Sequence, residues 1–592
     1  MNTKIFHFFF SILVIISLNV YPDILKIGEI KPGMKGYIIT ADRDNKKNRF
    51  EFEVIDVIKK ASINRDIVLV RFYGEYIEKK GIAQGMSGSP AYIDDKLIGA
   101  LAYTWGYLKE PIGGIQPIEQ MLPVIDNKSF AYNDYQKQKF ISLDKEIAEK
   151  IGLEYIYNNT VYSKTDIIPI STPLVVSGLS NEFIKFLKEK LDKTYFNIIE
   201  GGGGEKKYND KELSPGDAVA IPLVTGDANV AAIGTVTYRK ENKVLIFGHP
   251  FLGRGNTKLP MAKAFVHYIM PTLTVSWKFS SAGDIIGSVY NDQETAVAGY
   301  IGESPSMIPI RLEIEKENEK FSYSYKMAKD PLFFPTLLSG IIMSSFYNID
   351  PQKSEGSIVL NINVKIKNSD TNEEKSFSLK DFFVGFNSDT IYQTTIRLIY
   401  PLQYIVYNWF GPWEIESIDI KINKIPNYKV GYIEKATLIE KFEFKPGETA
   451  KIKLYIRKYK DSYQEKIVEF KIPANINTPT ILDINISSSK IENITYMQQY
   501  TPVFIPRNID QLLSIFSMES SFSDIALWID IPHTSLILDG QFLPNMPLSK
   551  IYYYGYRQAG NYFSFTKREK ILINTDYFVT GYLRVPIKIV PR

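Results

Sequence analysis

From about residue 24 onward the chain is dominated by short runs in which apolar and polar residues alternate, each closed by turn residues. Residues 50–58, 67–72, 91–93 and 97–102 are such runs, and Lys31-Pro32-Gly33 is an early turn. A side-chain period of two between Gly, Pro and Asp punctuation predicts half-buried strands, the grammar of a β-barrel or sandwich. Residues 126–210 are more polar. There Ser180 stands as an N-cap before Phe183, Ile184, Leu187 and Leu191, which fall on one face of a predicted helix. Four glycines at 201–204 lack the Lys-Ser/Thr pair that closes a phosphate-binding loop, so they read as a flexible connector.

The β pattern resumes after Ser214-Pro215-Gly216, with runs at 218–224, 230–238, 244–247, 273–279 and 295–300. Beyond 305 further alternating runs lie at 310–314, 357–366, 415–422, 451–456 and 466–472, with a turn at Pro446-Gly447-Glu448 of the kind found in immunoglobulin-like sandwiches. Asn508 caps a predicted helix over 510–516. The expected organisation is a leader at 1–22, a first β half at 23–125, a mixed helical insertion and linker at 126–210 and a second β half at 211–305. A sandwich-like region at 306–480 and a β-rich C-terminal module at 481–592 complete it. The fold class is mainly β.

The one long apolar run is at 5–20, behind Lys4. It reads as a secretory signal peptide or, if uncleaved, a membrane anchor, which implies an exported protein of the periplasm, cell envelope or extracellular space. Later apolar stretches, such as 337–346, have the length of buried core helices rather than spans. At 592 residues the chain exceeds one hydrophobic core, and its 45% hydrophobic and 23% charged content is that of folded protein. The 70 basic and 66 acidic side chains are interspersed, as in the solvated Lys/Glu cluster at 315–320, so no electrostatic footprint for nucleic acid exists. Cysteine is absent, which removes disulfides, thiolate metal sites and a cysteine nucleophile. Neither HExxH nor another metal-ligand spacing occurs, and no cofactor or metal is expected. The 39 Tyr and 35 Phe are read as strand and core residues; glycan binding through them would require a surface cluster that spacing does not reveal.

Chemistry concentrates at Gly85-Met86-Ser87-Gly88. Glycines on both sides let the backbone turn sharply, exposing the Ser87 hydroxyl while nearby N–H groups converge. The amides of Gly85 and Ser87 are the candidate oxyanion hole, because acyl transfer develops charge on a carbonyl oxygen that fixed donors stabilise. A serine needs a base to become a nucleophile. Of the four histidines, His7 lies in the leader, His267 sits in an apolar strand-like run and reads as a satisfied core residue, and His533 is remote. His249 follows the apolar run 244–247 and precedes Pro250, a strand end where a base is held rigidly yet within reach.

The stretch GIAQGMSGSP (81–90), the strand pair after it and GIQPIEQML (114–122) resemble the SpoIVB serine peptidase family, whose nucleophile lies in a GMSGSP loop. Gly234-Thr235-Val236-Thr237, followed by Gly248-His249-Pro250, is similar to the family's second signature, a strand leading to a Gly-His pair. The resemblance covers about residues 25–305. It implies a trypsin-like double β-barrel and a serine endopeptidase with Ser87 as nucleophile and His249 as general base. A protein or peptide would be the substrate. Here the histidine follows the serine by 162 residues, whereas the family's sporulation peptidase has the reverse order, so the two halves stand exchanged in sequence. The acid is open among Asp66, Glu75, Asp227 and Asp292, with Asp66 favoured because it shares a half with Ser87. The other reading is a noncatalytic cell-envelope binding or assembly protein on a degenerate peptidase scaffold, its C-terminal β modules meeting envelope partners.

Overall fold

The computed structural model describes residues 22–62, 65–105, 108–126, 168–191, 196–202, 212–351, 355–461, 463–474, 476, 479–499, 506–518, 521–538, 541–543, 546–555 and 562–591. The leader expected at 1–22 lies outside them except for its last residue, and so do two of the four glycines at 201–204. Strands hold 55% of the structure and helices 20%, which makes it mainly β as the alternation predicts.

The first half folds as β1 (Lys35–Ala41), β2 (Lys47–Ser62), β3 (Arg65–Tyr73), β4 (Pro90–Ile93), β5 (Lys96–Thr104) and β6 (Ile112–Pro117). Pairing in the order β4-β1-β2-β3-β6-β5, with β5 returning to β4, closes a six-stranded antiparallel barrel. Closure leaves edges only where one strand outruns its neighbour, as β5 outruns β4 and β2 outruns β1. The alternation is visible in β3: Val68, Val70 and Phe72 are buried while Arg71 and Tyr73 are exposed. Each such side chain, fully removed from water, contributes about 1.5–3 kcal/mol.

A short strand β7 (Ile168–Pro169) lies on β5, and the chain then enters a second sheet. This sheet comprises β8 (Thr172–Ser177), β9 (Phe196–Glu200), β10 (Ala218–Gly226), β11 (Asn229–Lys240), β12 (Lys243–Ile246), β13 (Gly255–Met270), β14 (Trp277–Gln293), β15 (Ala296–Ile301), β16 (Ile308–Lys316) and β17 (Glu319–Met327). Six of them, in the order β10-β13-β14-β15-β12-β11 and back to β10, form a second antiparallel ring. The double barrel implied by the resemblance is therefore present. Between 126 and 210 the described part is helical at Asn181–Leu191, where the Phe183 N–H meets Ser180 Oγ at 3.3 Å and Phe183, Ile184 and Leu187 are buried. That region also supplies β8 and β9, which extend the second sheet from β11.

Helix Ile118–Asp126 joins the two barrels. Ile118, Met121, Val124 and Ile125 share an apolar cluster with Leu97 and Ala100 of the first barrel and Leu245, Ala296 and Ala298 of the second. Its carbonyls are held from β14 and the turn beyond it: Asn291 Nδ2 donates to Val124 at 3.0 Å, Tyr290 to Ile125 at 2.8 Å and Thr295 Oγ1 to Gln120 at 2.8 Å. The Val124 and Ile125 carbonyls, orphaned at the helix end, thus become inter-barrel ties, and Gln120 O adds a third from the first turn.

The alternating runs beyond 305 divide into two structures. Strands Trp413–Ile425, Glu355–Asn368 and Glu374–Phe386 continue the second sheet through β16 and β17, under helices Phe333–Ile349 and Asn387–Val406. The buried residues of the first of these helices include Leu337, Ile341 and Phe346, as its apolar sequence predicts. From Val430 a four-stranded and a six-stranded sheet enclose a separate core containing Ile452, Leu454, Ile484, Leu527 and Ile587, a sandwich. Helix Ile509–Met518 is capped by Asn508, whose Oδ1 accepts from Gln511 N at 2.9 Å. Among the described residues no helix is long and apolar enough to cross a membrane.

Candidate active site

The loop that carries Ser87 leads into β4, and Gly88 explains its composition. Gly88 has φ +93°, and a Cβ there would lie 2.1 Å from the Thr235 carbonyl oxygen and 2.6 Å from the Phe247 nitrogen. Only glycine admits both the conformation and the approach. The loop is held from β11 below it. Thr235 N–H donates to Ser87 O at 2.9 Å, Thr235 Oγ1 to Gly85 O at 2.8 Å and Thr237 Oγ1 to Gly88 O at 2.7 Å. The two threonines of Gly234-Thr235-Val236-Thr237 therefore satisfy carbonyls of the loop that carries Ser87. The N–H groups of Met86, Gly88 and Ser89 go to Ala83, Leu101 and Met86 carbonyls; among the described residues those of Gly85 and Ser87 have no backbone acceptor.

His249 arrives from the other barrel. β12 ends in a turn whose Phe247 and Gly248 both have positive φ, +67° and +73°. This turn brings Nε2 of His249 to 2.6 Å from Ser87 Oγ, and Ser87 Oγ also lies 2.8 Å from Phe247 O. On the opposite side of the ring, Nδ1 is 2.8 Å from the Pro250 carbonyl. A carbonyl only accepts, so Nδ1 carries the hydrogen and the Nε2 lone pair faces the serine. Burial lowers the imidazole pKa to about 4; carbonyls of Pro250 and Ile170 act in the opposite direction, and the Arg65 charge lowers it further.

The four carboxylates left open by the sequence lie elsewhere. Asp66 accepts from the Lys60 N–H at 2.7 Å and Lys59 Nζ at 3.4 Å on the β2–β3 hairpin, Glu75 pairs with Lys79 at 2.6 Å, and Asp227 accepts from Ser324 N at 2.6 Å. Asp292 is buried and accepts from Phe251, Leu252 and Gly253 N–H groups at 2.8, 2.6 and 2.9 Å, clasping the loop that follows His249. Burial raises its pKa to about 6 against the pull of those N–H groups. The place beside Nδ1 that a triad carboxylate would take is held by Pro250 O. His267, on β13, meets Ser281 Oγ at 3.2 Å and packs edge-on to Phe265, while His533 lies on strand Asp524–Leu538 of the C-terminal sandwich.

Residues 17–122 match the SpoIVB peptidase S55 family. This S55 segment includes Ser87 and the glycines around it and ends before His249. Over those residues the chain is similar to the SpoIVB peptidases. Comparisons with curated proteins and with solved structures give no match.

Two features around Ser87 and His249 had no clear signature in the sequence. Lys278 is fully buried beneath the nucleophile loop, its Nζ donating to Thr40 Oγ1 at 2.7 Å and Thr235 Oγ1 at 3.0 Å. Burial lowers its pKa to about 7, opposed by the Asp42 charge. Its neighbours Trp277 and Phe279 are the residues that apolar patterning would have placed inside, yet the inward face is that of Lys278 and Ser280. The second feature is closure: Ser87 is 0% and His249 1% exposed. That follows from the packing of three separate chain segments around them.

Proposed function

We propose that the chain is an exported serine endopeptidase in which Ser87 attacks a peptide carbonyl, His249 takes its proton and the Gly85 and Ser87 amides hold the oxyanion. The observation that carries this reading is the 2.6 Å contact between Ser87 Oγ and His249 Nε2, made between residues 162 positions apart and supplied by different barrels. The Nδ1–H bond to Pro250 leaves the Nε2 lone pair toward the hydroxyl, the tautomer a general base requires. The single hydroxyl hydrogen of Ser87 has two acceptors within reach, His249 Nε2 and Phe247 O, and the general-base step uses the first. Export rests on the apolar run at 5–20 behind Lys4.

A noncatalytic envelope protein on the same scaffold is the second reading, favoured by the burial of both side chains and by a carbonyl standing where a triad carboxylate would be. Labelling of the purified chain with a fluorophosphonate separates the two. Labelling that disappears in Ser87→Ala and falls at least a hundredfold in His249→Gln supports the peptidase. Absence of labelling in a folded protein whose site admits peptide assigns it to the scaffold reading.

A further inference from the structure

The edge of β5 is shared in sequence order by three partners. Gly99 and Ala100 pair with β4. Next, Gly88 N–H donates to Leu101 O at 2.8 Å and Leu101 N–H to Ser89 O at 2.9 Å, so the nucleophile loop takes the middle of the edge. Immediately beyond it, Ile170 N–H donates to Ala102 O at 2.8 Å, Pro169 pairs with Tyr103 and Ile168 with Thr104, all antiparallel. The chain then passes through Ser171 into β8 of the second sheet.

An extended peptide that is to be cleaved must meet three conditions at such a site. Its backbone must pair with a strand edge, one of its carbonyls must reach the reacting side chains, and the side chain of that residue must find a pocket. Residues 168–170 meet the first and the third, and approach the second. Their backbone pairs with Ala102, Tyr103 and Thr104, and the Ile170 carbonyl stands close enough to the His249 ring to raise its pKa against the effect of burial. The Ile170 side chain, 1% exposed, joins the apolar core that includes Leu101 and Ile115. Pro169 cannot donate and sits on an edge, where a strand tolerates it.

We infer that Ile168-Pro169-Ile170 is an intramolecular occupant of the peptide-docking edge of β5, and that the segment taken there in trans is extended and carries a branched apolar residue at the position of Ile170. The substrate class rests on the peptidase reading of Ser87 and His249; the docking itself requires no chemistry. Because the occupant is tethered, its effective concentration is on the order of millimolar, and a free peptide competes poorly until the tethered strand is weakened.

The test uses the full chain carrying Ser87→Ala, so that binding is read without turnover, and dye-labelled acetyl-Ile-Pro-Ile and acetyl-Ile-Pro-Asp peptides followed by fluorescence anisotropy. Adding Ile170→Gly is expected to tighten binding of the Ile-Pro-Ile peptide at least tenfold, with the Asp peptide at least tenfold weaker. Equal affinity with and without Ile170→Gly, or no preference between the peptides, overturns the inference. Should circular dichroism show Ile170→Gly unfolded, Ile168→Gly, at a half-buried position, is read instead and is expected to tighten binding at least threefold; no change overturns the inference equally. Fluorophosphonate labelling in the Ser87 background distinguishes the two levels. Tighter peptide binding with no labelling leaves the docking edge standing and removes the peptidase. Equal labelling of parent and Ile170→Gly, with unchanged peptide affinity, removes the occupant and leaves the peptidase.

Discussion

Gly88→Ala tests whether the nucleophile loop is defined by its approach to the second barrel. The added methyl would sit 2.1 Å from Thr235 O and 2.6 Å from Phe247 N, both backbone atoms of strand and turn that cannot rotate aside. The loop must retreat by about 1 Å to restore ordinary contact distances. Retreat strains or breaks the Gly88 N–H to Leu101, Thr235 N–H to Ser87 and Thr237 Oγ1 to Gly88 bonds. Three bonds at about 0.5–1.5 kcal/mol each, with about 1–3 kcal/mol for an alanine at positive φ, give an expected loss of about 2.5–7.5 kcal/mol. A displacement of about 1 Å at Ser87 lowers fluorophosphonate labelling by about a hundredfold. The control is Gly33→Ala: Gly33 has φ +84° with nothing within 4 Å of the added methyl, so it pays the backbone term alone. Urea unfolding followed by tryptophan fluorescence, together with the labelling rate, gives both quantities. If Gly88→Ala unfolds no more easily than Gly33→Ala and labels within a factor of two of the parent chain, the reasoning about the inter-barrel approach is wrong.

Three further outcomes follow from buried charge. His249 is depressed to about 4 by burial, so it contributes stability that is present above its ordinary value near 6.5 and lost as pH falls to about 4; His249→Gln should flatten the urea midpoint between pH 6.5 and 4, a difference of about 3 kcal/mol. Lys278, lowered to about 7, costs most below pH 7 and progressively less as pH climbs toward 10.5, so Lys278→Met should raise the midpoint more at pH 6 than at pH 9.5, as calorimetry at the two pH values would show. In the sandwich, buried Glu492 accepts from Arg568 at 3.2 Å and Lys570 at 2.6 Å. Glu492→Gln should therefore cost about 3–5 kcal/mol in urea unfolding while leaving the Ser87 labelling rate of the folded protein unchanged.

The residues at which sequence and structure agree are those whose information is local. Alternation placed Val68, Val70 and Phe72 inside the first barrel because a strand's side chains change face at every residue. Ser180 and Asn508 announced their helices because a cap acts within one turn. Ser87 and His249 were legible as candidates from short motifs, and the structure brings them within 2.6 Å of each other. Tertiary structure alone decided what depends on segments far apart. It put a carbonyl rather than a carboxylate beside His249 Nδ1, turned Asp292 to clasp a backbone loop, and sank Lys278 under the nucleophile turn. It also laid residues 168–170 along β5. Those outcomes are set by which strand edge, which cavity and which N–H groups remain once both barrels have closed. A linear pattern carries no such information, because each partner is chosen by three-dimensional packing rather than by spacing along the chain.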